Sequence, residues 1–221
     1  ERVFYMEALR LDIVSVDVHE GGVAVVAPNT VVEGVSVDVA GEIVELAREH
    51  GRSAQVTVST AFGCPFDGEV SVGHVLEVCR RLSAFRPREI ALADTIGVAG
   101  PGQVYELFTK VKQVVGDIPL RAHFHNTRNT GLANAWAAWT AGVQVLDSSL
   151  GGLGGCPFAP NATGNIATED LVFMLKRSNV ETGLDLNALI DTASWFSNSV
   201  MQRELPAMTS RAGNFPASQT A

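Results

Sequence analysis

The chain contains 221 residues, of which 46% are hydrophobic and 18% are charged. That composition fits one globular domain with a sizeable core and excludes a disordered chain. Aspartate and glutamate number 24 against 16 lysine and arginine residues, which gives a net charge of −8. Such a balance argues against binding to nucleic acid or to an anionic membrane, and it favours a small-molecule ligand.

Neither a membrane span nor a secretory leader is predicted. The apolar runs, such as Val143–Leu146, are far shorter than the roughly 20 residues that a membrane span needs. The first residues lack the basic and apolar regions of a signal peptide. Three cysteines do not make a disulfide framework, which indicates a reducing compartment, and we expect a cytoplasmic location.

The predicted elements begin with two strands and a helix. Residues 11–18 and 23–27 are rich in β-branched side chains, which predicts strands. The apolar spacing over 37–50 predicts a helix. Its inward face is expected to carry Val39, Ile43, Leu46 and Ala47.

Strands and helices alternate from residue 53 onward. Strands are predicted at 53–59, 89–94, 120–125 and 143–149. Helices are predicted from the N-cap Ser71 to about residue 82, from Pro101 to about residue 114, over 132–141, from about Thr168, and from the N-cap Asp185 to about residue 200. The chain from Pro206 onward is expected to be mobile.

This alternation predicts an α/β fold. Apolar strands separated by helices imply a parallel sheet that is buried on both faces. Either an open doubly wound sheet or a (β/α)8 barrel fits the pattern, but a full barrel has roughly 250 residues and only about six strands are predicted. A barrel would therefore be short at its N-terminal side or lack an internal segment. We expect one domain over 1–205 and a flexible C-terminal tail over 206–221.

His123 and His125 are the first candidates for a functional site. Alternate side chains of a strand share one face, so both imidazoles point the same way, about 7 Å apart along the chain. Two imidazoles at that spacing can bind one cation. The alternative is a pair of histidines that merely caps the end of the sheet.

Asp94 and Asp147 end the two predicted strands on either side of the histidine strand. The C-terminal ends of parallel strands carry the active site in barrel enzymes, which makes both aspartates candidates. Each can equally be a helix cap or a loop hydrogen-bonding group. The serines after Asp147 favour turn chemistry there.

A glycine-rich loop is the third candidate. Four glycines stand among the five positions 151–155, directly before Cys156. Glycines let the backbone approach a ligand closely, and a thiol in such a loop can act as a general acid, base or nucleophile. A small residue in a tight loop is the alternative for Cys156. The amide oxygen of Asn165, a little further on, suits a divalent ion, whereas Cys64 and Cys79 are expected to be structural.

Several motifs occur together and in order. They are 62–70 (FGCPFDGEV), 94–97 (DTIG), the two histidines, 151–158 (GGLGGCPF) and 164–170 (GNIATED). Together they resemble the 3-hydroxy-3-methylglutaryl-CoA (HMG-CoA) lyase family of the DRE-TIM metallolyase superfamily, over about residues 53–200. The resemblance implies an α/β fold of the TIM (β/α)8 barrel type, here incomplete at its N-terminal side.

The resemblance also implies a role for each site residue. The metal ligands would be His123, His125 and Asn165, around Mg²⁺ or Mn²⁺, with His123 also taking part in catalysis. Cys156 would be the catalytic cysteine, and Asp94 a polar group beside the reacting centre.

Five further residues would support this site. Glu169 and Asn126 would not bind the metal themselves but would stabilise the residues that do. Arg128, Gly154 and Gly155 would contact the acyl-CoA.

Three positions depart from the family pattern. The family's first strand carries an Arg-Asp pair that this chain lacks; its nearest chemical analogue is His19-Glu20-Gly21. Asn126 stands where lyases usually carry aspartate. Asparagine after the second histidine also occurs in the related condensing synthases. Arg128 is basic where well-known lyases have an aromatic residue, which indicates a different acyl group.

The function implied is a metal-dependent carbon–carbon lyase. It would cleave HMG-CoA or a related 3-hydroxyacyl-CoA to acetyl-CoA and a 3-oxo acid by a retro-aldol (Claisen-type) reaction. We expect an acyl-CoA substrate and a homodimer, and neither a nucleic-acid nor a membrane partner. Two alternatives remain: an acetyl-CoA-dependent condensing synthase, which Asn126 favours, and a non-catalytic barrel relic, which the missing Arg-Asp pair favours.

Overall fold

A computed structural model describes residues 13–17, 25–27, 30–32, 37–154 and 164–216, the first three ranges by their backbone alone. Gly155 and Cys156 lie outside these ranges. The same holds for the segment His19-Glu20-Gly21.

The described chain contains seven strands and seven α-helices. The strands are β1 (Ile13–Asp17), β2 (Val25–Ala27), β3 (Thr30–Val32), β4 (Gln55–Ser59), β5 (Ile90–Asp94), β6 (Leu120–Phe124) and β7 (Val145–Leu146). The helices are α1 (Val37–Glu49), α2 (Val72–Ser83), α3 (Pro101–Val115), α4 (Gly131–Thr140), α5 (Thr168–Arg177), α6 (Leu186–Trp195) and α7 (Thr209–Ala212). A 3₁₀ turn spans Leu150–Gly152, and α6 continues as a π-helical segment, Phe196–Met201.

Five of the described strands form one parallel sheet in the order β1-β4-β5-β6-β7. β2 does not join it, because it pairs antiparallel with β3, a strand that the sequence pattern did not predict. The alternation from β4 to α4 is as predicted, and the side chain of Ser71 caps α2 by accepting from the His74 N–H. Among the described helices, none is long and apolar enough to cross a bilayer.

The two faces of β6 differ in character. Leu120, Ala122 and Phe124 belong to the buried apolar core between the sheet and the helices. Because side chains alternate along a strand, Arg121 and His123 lie on the opposite face. One face of β6 therefore contributes to the apolar core under the helices. The other face is polar and carries the candidate site.

The inward face of α1 is rotated from the predicted one. Val39 and Leu46 were expected to be buried, but they are 40% and 55% exposed. The ring of Phe85 packs directly onto the backbone at Gly41, where any Cβ would collide with it. That close approach selects a different face, consisting of Val37, Ala40, Gly41 and Val44.

The chain beyond residue 205 packs against α5 and the 3₁₀ turn. Ala207 is 1% exposed, and its N–H donates to the Gly151 carbonyl oxygen at 3.3 Å. The carboxylate of Asp170 accepts from the N–H groups of Met208 and Thr209, at 3.1 and 2.6 Å. Packed residues therefore continue to Thr209, and both the domain boundary at 205 and the mobility of 206–221 stay predictions.

Candidate active site

The two histidines lie side by side at the end of β6. Their ring centroids are 5.3 Å apart, with an angle of 56° between the planes, as the alternation along the strand predicts. His125 lies one residue beyond β6, where it forms an isolated antiparallel bridge with Asn165. The fold therefore brings together the three side chains that the resemblance implies as metal ligands.

Two atoms of this group are buried without a hydrogen-bond partner. The Asn165 side chain donates from Nδ2 to the Leu153 carbonyl oxygen at 3.0 Å, which leaves its Oδ1 as an unpaired acceptor. Nδ1 of His125 is likewise buried and unpaired. Leaving a buried polar group unpaired typically costs about 1–3 kcal/mol. An amide oxygen and an imidazole nitrogen left open in this way fit a divalent cation.

His123 is held from behind by Asp147. Its Nδ1 lies 3.3 Å from Asp147 Oδ2, and Arg121 donates to the other carboxylate oxygen at 2.7 Å. Burial alone would raise the pKa of Asp147, but the hydrogen bond and charge of His123 and the charge of Arg121 hold that pKa below its usual value.

His125 is kept neutral by its surroundings. Its exposed fraction is 5%, and burial, followed by repulsion from His123, lowers its pKa to about 4. A neutral imidazole is the form that binds a metal ion. The environment therefore favours the ligating form of His125 at neutral pH.

Gly154 and Gly164, the described residues on either side of positions 155–163, both lie beside Asn165. Gly154 has φ +110°, and a Cβ there would lie 2.7 Å from Nδ2 of Asn165. A Cβ on Gly164 would collide with the Gly152 carbonyl oxygen. Glycine is required at both positions because backbone and amide pack without room for a side chain.

Glu169 binds the 3₁₀ turn, and its support of the metal ligands stays a prediction. Its side chain is fully buried, and both carboxylate oxygens accept from the Gly151 N–H, at 3.1 and 3.0 Å. Ser210 also donates to Oε1 at 2.9 Å. Glu169 thus ties α5, the turn before the glycine-rich loop and α7 together.

Asp94 is 1% exposed, and its carboxylate is occupied by the following loop. Its two oxygens accept from the N–H groups of Val98 and Ala99, at 2.9 and 3.0 Å. Burial raises the pKa of Asp94, against the effect of these two hydrogen bonds. These contacts favour the loop-bonding alternative, and a place beside the reacting centre stays a prediction.

Arg128 and Asn126 also make local bonds. Arg128 donates from Nη1 to the carbonyl oxygens of Ile96 and Gly97, at 3.0 and 3.1 Å. Asn126 accepts from the Gly131 N–H at 3.1 Å through Oδ1, and so caps the start of α4. The contacts of Arg128 with substrate and of Asn126 with the metal ligands stay predictions.

A groove of about 570 Å³ opens next to this group. Its polar side includes Asn126 and Asn165, and its apolar side includes Leu132, Phe173 and Met208. Small-molecule sites commonly have volumes of about 300–1,000 Å³ and combine apolar walls with a few polar groups.

The two remaining cysteines have the structural character that was predicted. Cys64 and Cys79 are 4% and 0% exposed, and burial raises the pKa of the Cys79 thiol to about 12. No group of three or more His, Cys, Asp or Glu side chains in the described part of the chain is arranged to hold a metal. The candidate site depends instead on two imidazoles and an amide.

Comparison with known proteins identifies the family. The sequence profile of the HMGL-like family matches residues 29–195. The chain belongs to the HMGL-like family. The resemblance to HMG-CoA lyases that the motifs indicate is therefore confirmed.

Relatives of this HMGL-like chain include named lyases that act on CoA thioesters. The (R)-citramalyl-CoA lyase of Chloroflexus aurantiacus is 47% identical over 75% of this chain and 52% of that protein. The mitochondrial hydroxymethylglutaryl-CoA lyase of Bos taurus is 41% identical over 73% of this chain and 50% of that protein. The chain spans about half the length of these relatives.

The fold is also that of a solved lyase. An HMG-CoA lyase from Acinetobacter baumannii, solved with coenzyme A and 3-methylmalate, matches with a TM-score of 0.75 and 40% identity. The match covers 80% of this chain and 57% of that one. The prediction of a TIM-type α/β barrel, incomplete in this chain, is confirmed.

Proposed function

We propose that this HMGL-like chain belongs to a metal-dependent carbon–carbon lyase that cleaves a 3-hydroxyacyl-CoA to acetyl-CoA and an oxo acid. The observation that carries the proposal is the pair of buried, unpaired atoms, His125 Nδ1 and Asn165 Oδ1, beside the imidazole of His123. Buried polar atoms in native proteins are usually paired, and a bound cation would pair both of these.

The cation would be held by His123, His125 and Asn165. Nitrogen and oxygen donors without a thiolate suit Mg²⁺ or Mn²⁺ better than structural zinc. A divalent cation bound there lowers the pKa of an alcohol that it chelates and fixes the geometry of the alcohol and a neighbouring carboxylate.

The chain's own residues would direct the proton transfers. A base takes the proton of the tertiary alcohol, the adjacent carbon–carbon bond breaks, and its electron pair passes to the thioester as an enolate. The thiol of Cys156 then donates its proton to the enolate carbon, which completes acetyl-CoA.

The groove beside Asn165 would receive part of the acyl-CoA. Its apolar wall suits the uncharged arm of the coenzyme, and its polar side includes Asn165, one of the proposed cation ligands. Arg128 stands at the neighbouring loop, where a guanidinium can bind the free carboxylate of the acyl group.

The substrate is proposed from two candidates that the relatives suggest. HMG-CoA and citramalyl-CoA both carry a tertiary alcohol at carbon 3, but citramalyl-CoA has its carboxylate attached directly to that carbon. Its acyl group is one methylene shorter, and its oxo product is a 2-oxo acid rather than a 3-oxo acid. Arg128, which departs from the family pattern, is the position at which such a difference would be recognised.

Incubation with each thioester and Mn²⁺, with and without chelator, tests this proposal through release of acetyl-CoA. Cleavage of either substrate that stops on chelation supports it. His125→Gln should abolish release, while His74→Gln, which alters an exposed histidine on α2, should leave it unchanged. No cleavage of either substrate, or cleavage that chelator does not affect, contradicts the proposal.

A condensing synthase of the same superfamily is the second candidate, because the amide of Asn126 matches the synthase pattern. Mixing acetyl-CoA with pyruvate and other 2-oxo acids, and measuring free CoA, separates the two. Free CoA without lyase activity would favour the synthase.

A further inference from the structure

Arg121 is an unusual residue for the middle of a buried strand. It is 7% exposed, and its guanidinium bridges two carboxylates on the polar face of β6. Nη1 donates to Asp147 Oδ1 at 2.7 Å, and Nη2 donates to Glu89 Oε1 at 2.8 Å. The same Glu89 oxygen accepts from Arg88 at 2.9 Å. Charge-assisted bonds of this kind fix both the place and the orientation of the groups that they join.

Asp147 is fixed by its backbone as well. Its N–H donates to the Ala122 carbonyl oxygen at 2.9 Å, which extends the pairing of β6 with β7 by one bond. The carboxylate is thereby held beside His123, with Oδ1 taken by Arg121 and Oδ2 facing the imidazole.

An ionised carboxylate can only accept hydrogen bonds, so Nδ1 of His123 must be the protonated nitrogen of that contact. In the neutral form of the same ring, Nε2 then carries no proton and can bind a cation. Nδ1 of His125, in contrast, has no partner. The chain therefore controls the tautomer of one histidine of the pair through a carboxylate and leaves the other open.

We infer that Asp147 and Arg121 are positioning residues for His123. Asp147 holds the imidazole in its Nδ1–H tautomer and in a fixed orientation, and Arg121, anchored on Glu89, holds Asp147 in place. Carboxylates that support a metal-binding histidine in this way typically contribute about 10–100-fold to metal affinity. The inference rests on the cation site of the proposed function and adds the two residues that prepare it.

The tautomer of His123 can be read without any metal. Long-range ¹H–¹⁵N spectra of the histidine-labelled, chelator-treated chain at about pH 8, where imidazoles are neutral, distinguish a protonated Nδ1 from a protonated Nε2. We expect the Nδ1–H form for His123 in the wild-type chain. In Asp147→Asn, whose amide can donate as well as accept, that preference should be lost. Asp147→Glu should restore part of it.

Titration with Mn²⁺ gives the second readout. Asp147→Asn should bind Mn²⁺ about 10–100-fold more weakly than the wild-type chain, and Asp117→Asn, the same change at an exposed aspartate, should bind it equally well. Arg121→Lys keeps a positive charge near Glu89 but loses the two-pronged bridge. An intermediate loss of affinity is expected for it.

The outcomes separate this inference from the proposed function. An Nε2–H tautomer of His123 in the wild-type chain overturns the inference, even if no Asp147 variant folds. Unchanged tautomer and Mn²⁺ affinity in Asp147→Asn also overturn it, while the lyase proposal stands. If the wild-type chain binds no Mn²⁺, the proposed function fails, and the tautomer spectra alone decide the inference.

Discussion

His125 and Asn165 pair through their backbones, yet each turns an unpaired polar atom into the protein interior. The bridge places Oδ1 of the amide and Nδ1 of the imidazole in the same neighbourhood, and the Leu153 carbonyl fixes which atom of the amide is the acceptor. Two such atoms are costly in an empty site and useful in one that binds a cation. The predictions that follow test this arrangement and its supports.

The first prediction concerns the pH dependence of stability in the metal-free chain. The pKa of His125 is lowered to about 4, against about 6.5 in an unfolded chain. Between these values the unfolded chain binds more protons, so the free energy of unfolding rises with pH across this window and falls as the pH drops through it. The change attributable to this residue is about 3 kcal/mol.

Urea unfolding at a series of pH values, with chelator present, measures that slope. His125→Gln should flatten it between about pH 4 and 6.5, where the buried imidazole no longer contributes. His74→Gln, at an exposed position, should keep the wild-type slope. An identical slope in wild-type and His125→Gln chains would show that His125 is not buried as a neutral group.

The second prediction concerns Gly164. Its missing side chain leaves room for the Gly152 carbonyl oxygen, with which a Cβ would collide. Gly164→Ala should therefore lower the free energy of unfolding by about 1–3 kcal/mol and weaken Mn²⁺ binding, because Asn165 is the next residue. Gly73→Ala is the matched control, because nothing lies within 4 Å of its Cβ position in α2. This substitution should raise the free energy of unfolding by about 0.5–1 kcal/mol.

Thermal unfolding of both variants measures the change in stability, and titration with Mn²⁺ measures the change in cation binding. Equal effects of the two substitutions would mean that the backbone at Gly164 is not constrained as described.

The third prediction concerns the buried charges around Arg121. Arg121→Met leaves the carboxylates of Glu89 and Asp147 without their shared partner, and breaking a buried ion pair in this way typically costs about 3–5 kcal/mol. Arg80, which pairs with Glu77 on the surface of α2, provides the control. Arg80→Met should leave the denaturation midpoint nearly unchanged. A comparable small effect at Arg121 would refute the view that its bridge is buried and essential.

The fourth prediction concerns the tie between α5 and α7. Glu169 accepts from both the Gly151 N–H and the Ser210 hydroxyl. Glu169→Gln should lower the free energy of unfolding by about 1–3 kcal/mol, because buried donors lose a charged acceptor. A double-mutant cycle with Ser210→Ala should give a coupling free energy clearly different from zero. Strict additivity would contradict the shared hydrogen bond.

Much of the site was predictable from local pattern. Alternation on β6 places His123 and His125 on one face. The grouping of Asn165 with them is implied by the resemblance to the family and not by any local pattern. The serines after Asp147 suggest a turn, so the sequence does not reveal that its side chain contacts His123. Its contact with His123 depends on the register of β7 against β6, where Arg121 pairs with Val145. Register of this kind is a property of the assembled sheet and cannot be read from one segment.

The inward face of α1 shows the same limit. Helical spacing alone allowed Val39 and Leu46 to face the core, and the ring of Phe85, far along the chain, excludes that rotation by packing on Gly41. The one sequence signal for the buried ion pairs of Arg121 is that an arginine stands among the apolar residues of β6. Polar residues on buried strands carry such information because their burial needs compensation.

The most direct test of the central claim is the stoichiometry of Mn²⁺ binding, measured by electron paramagnetic resonance of free Mn²⁺ during titration of the chain. We predict one equivalent of bound Mn²⁺, lost in both His125→Gln and Asn165→Ala and retained in His74→Gln. Failure of the wild-type chain to bind Mn²⁺, or full binding by His125→Gln and Asn165→Ala, would contradict a cation site at these residues.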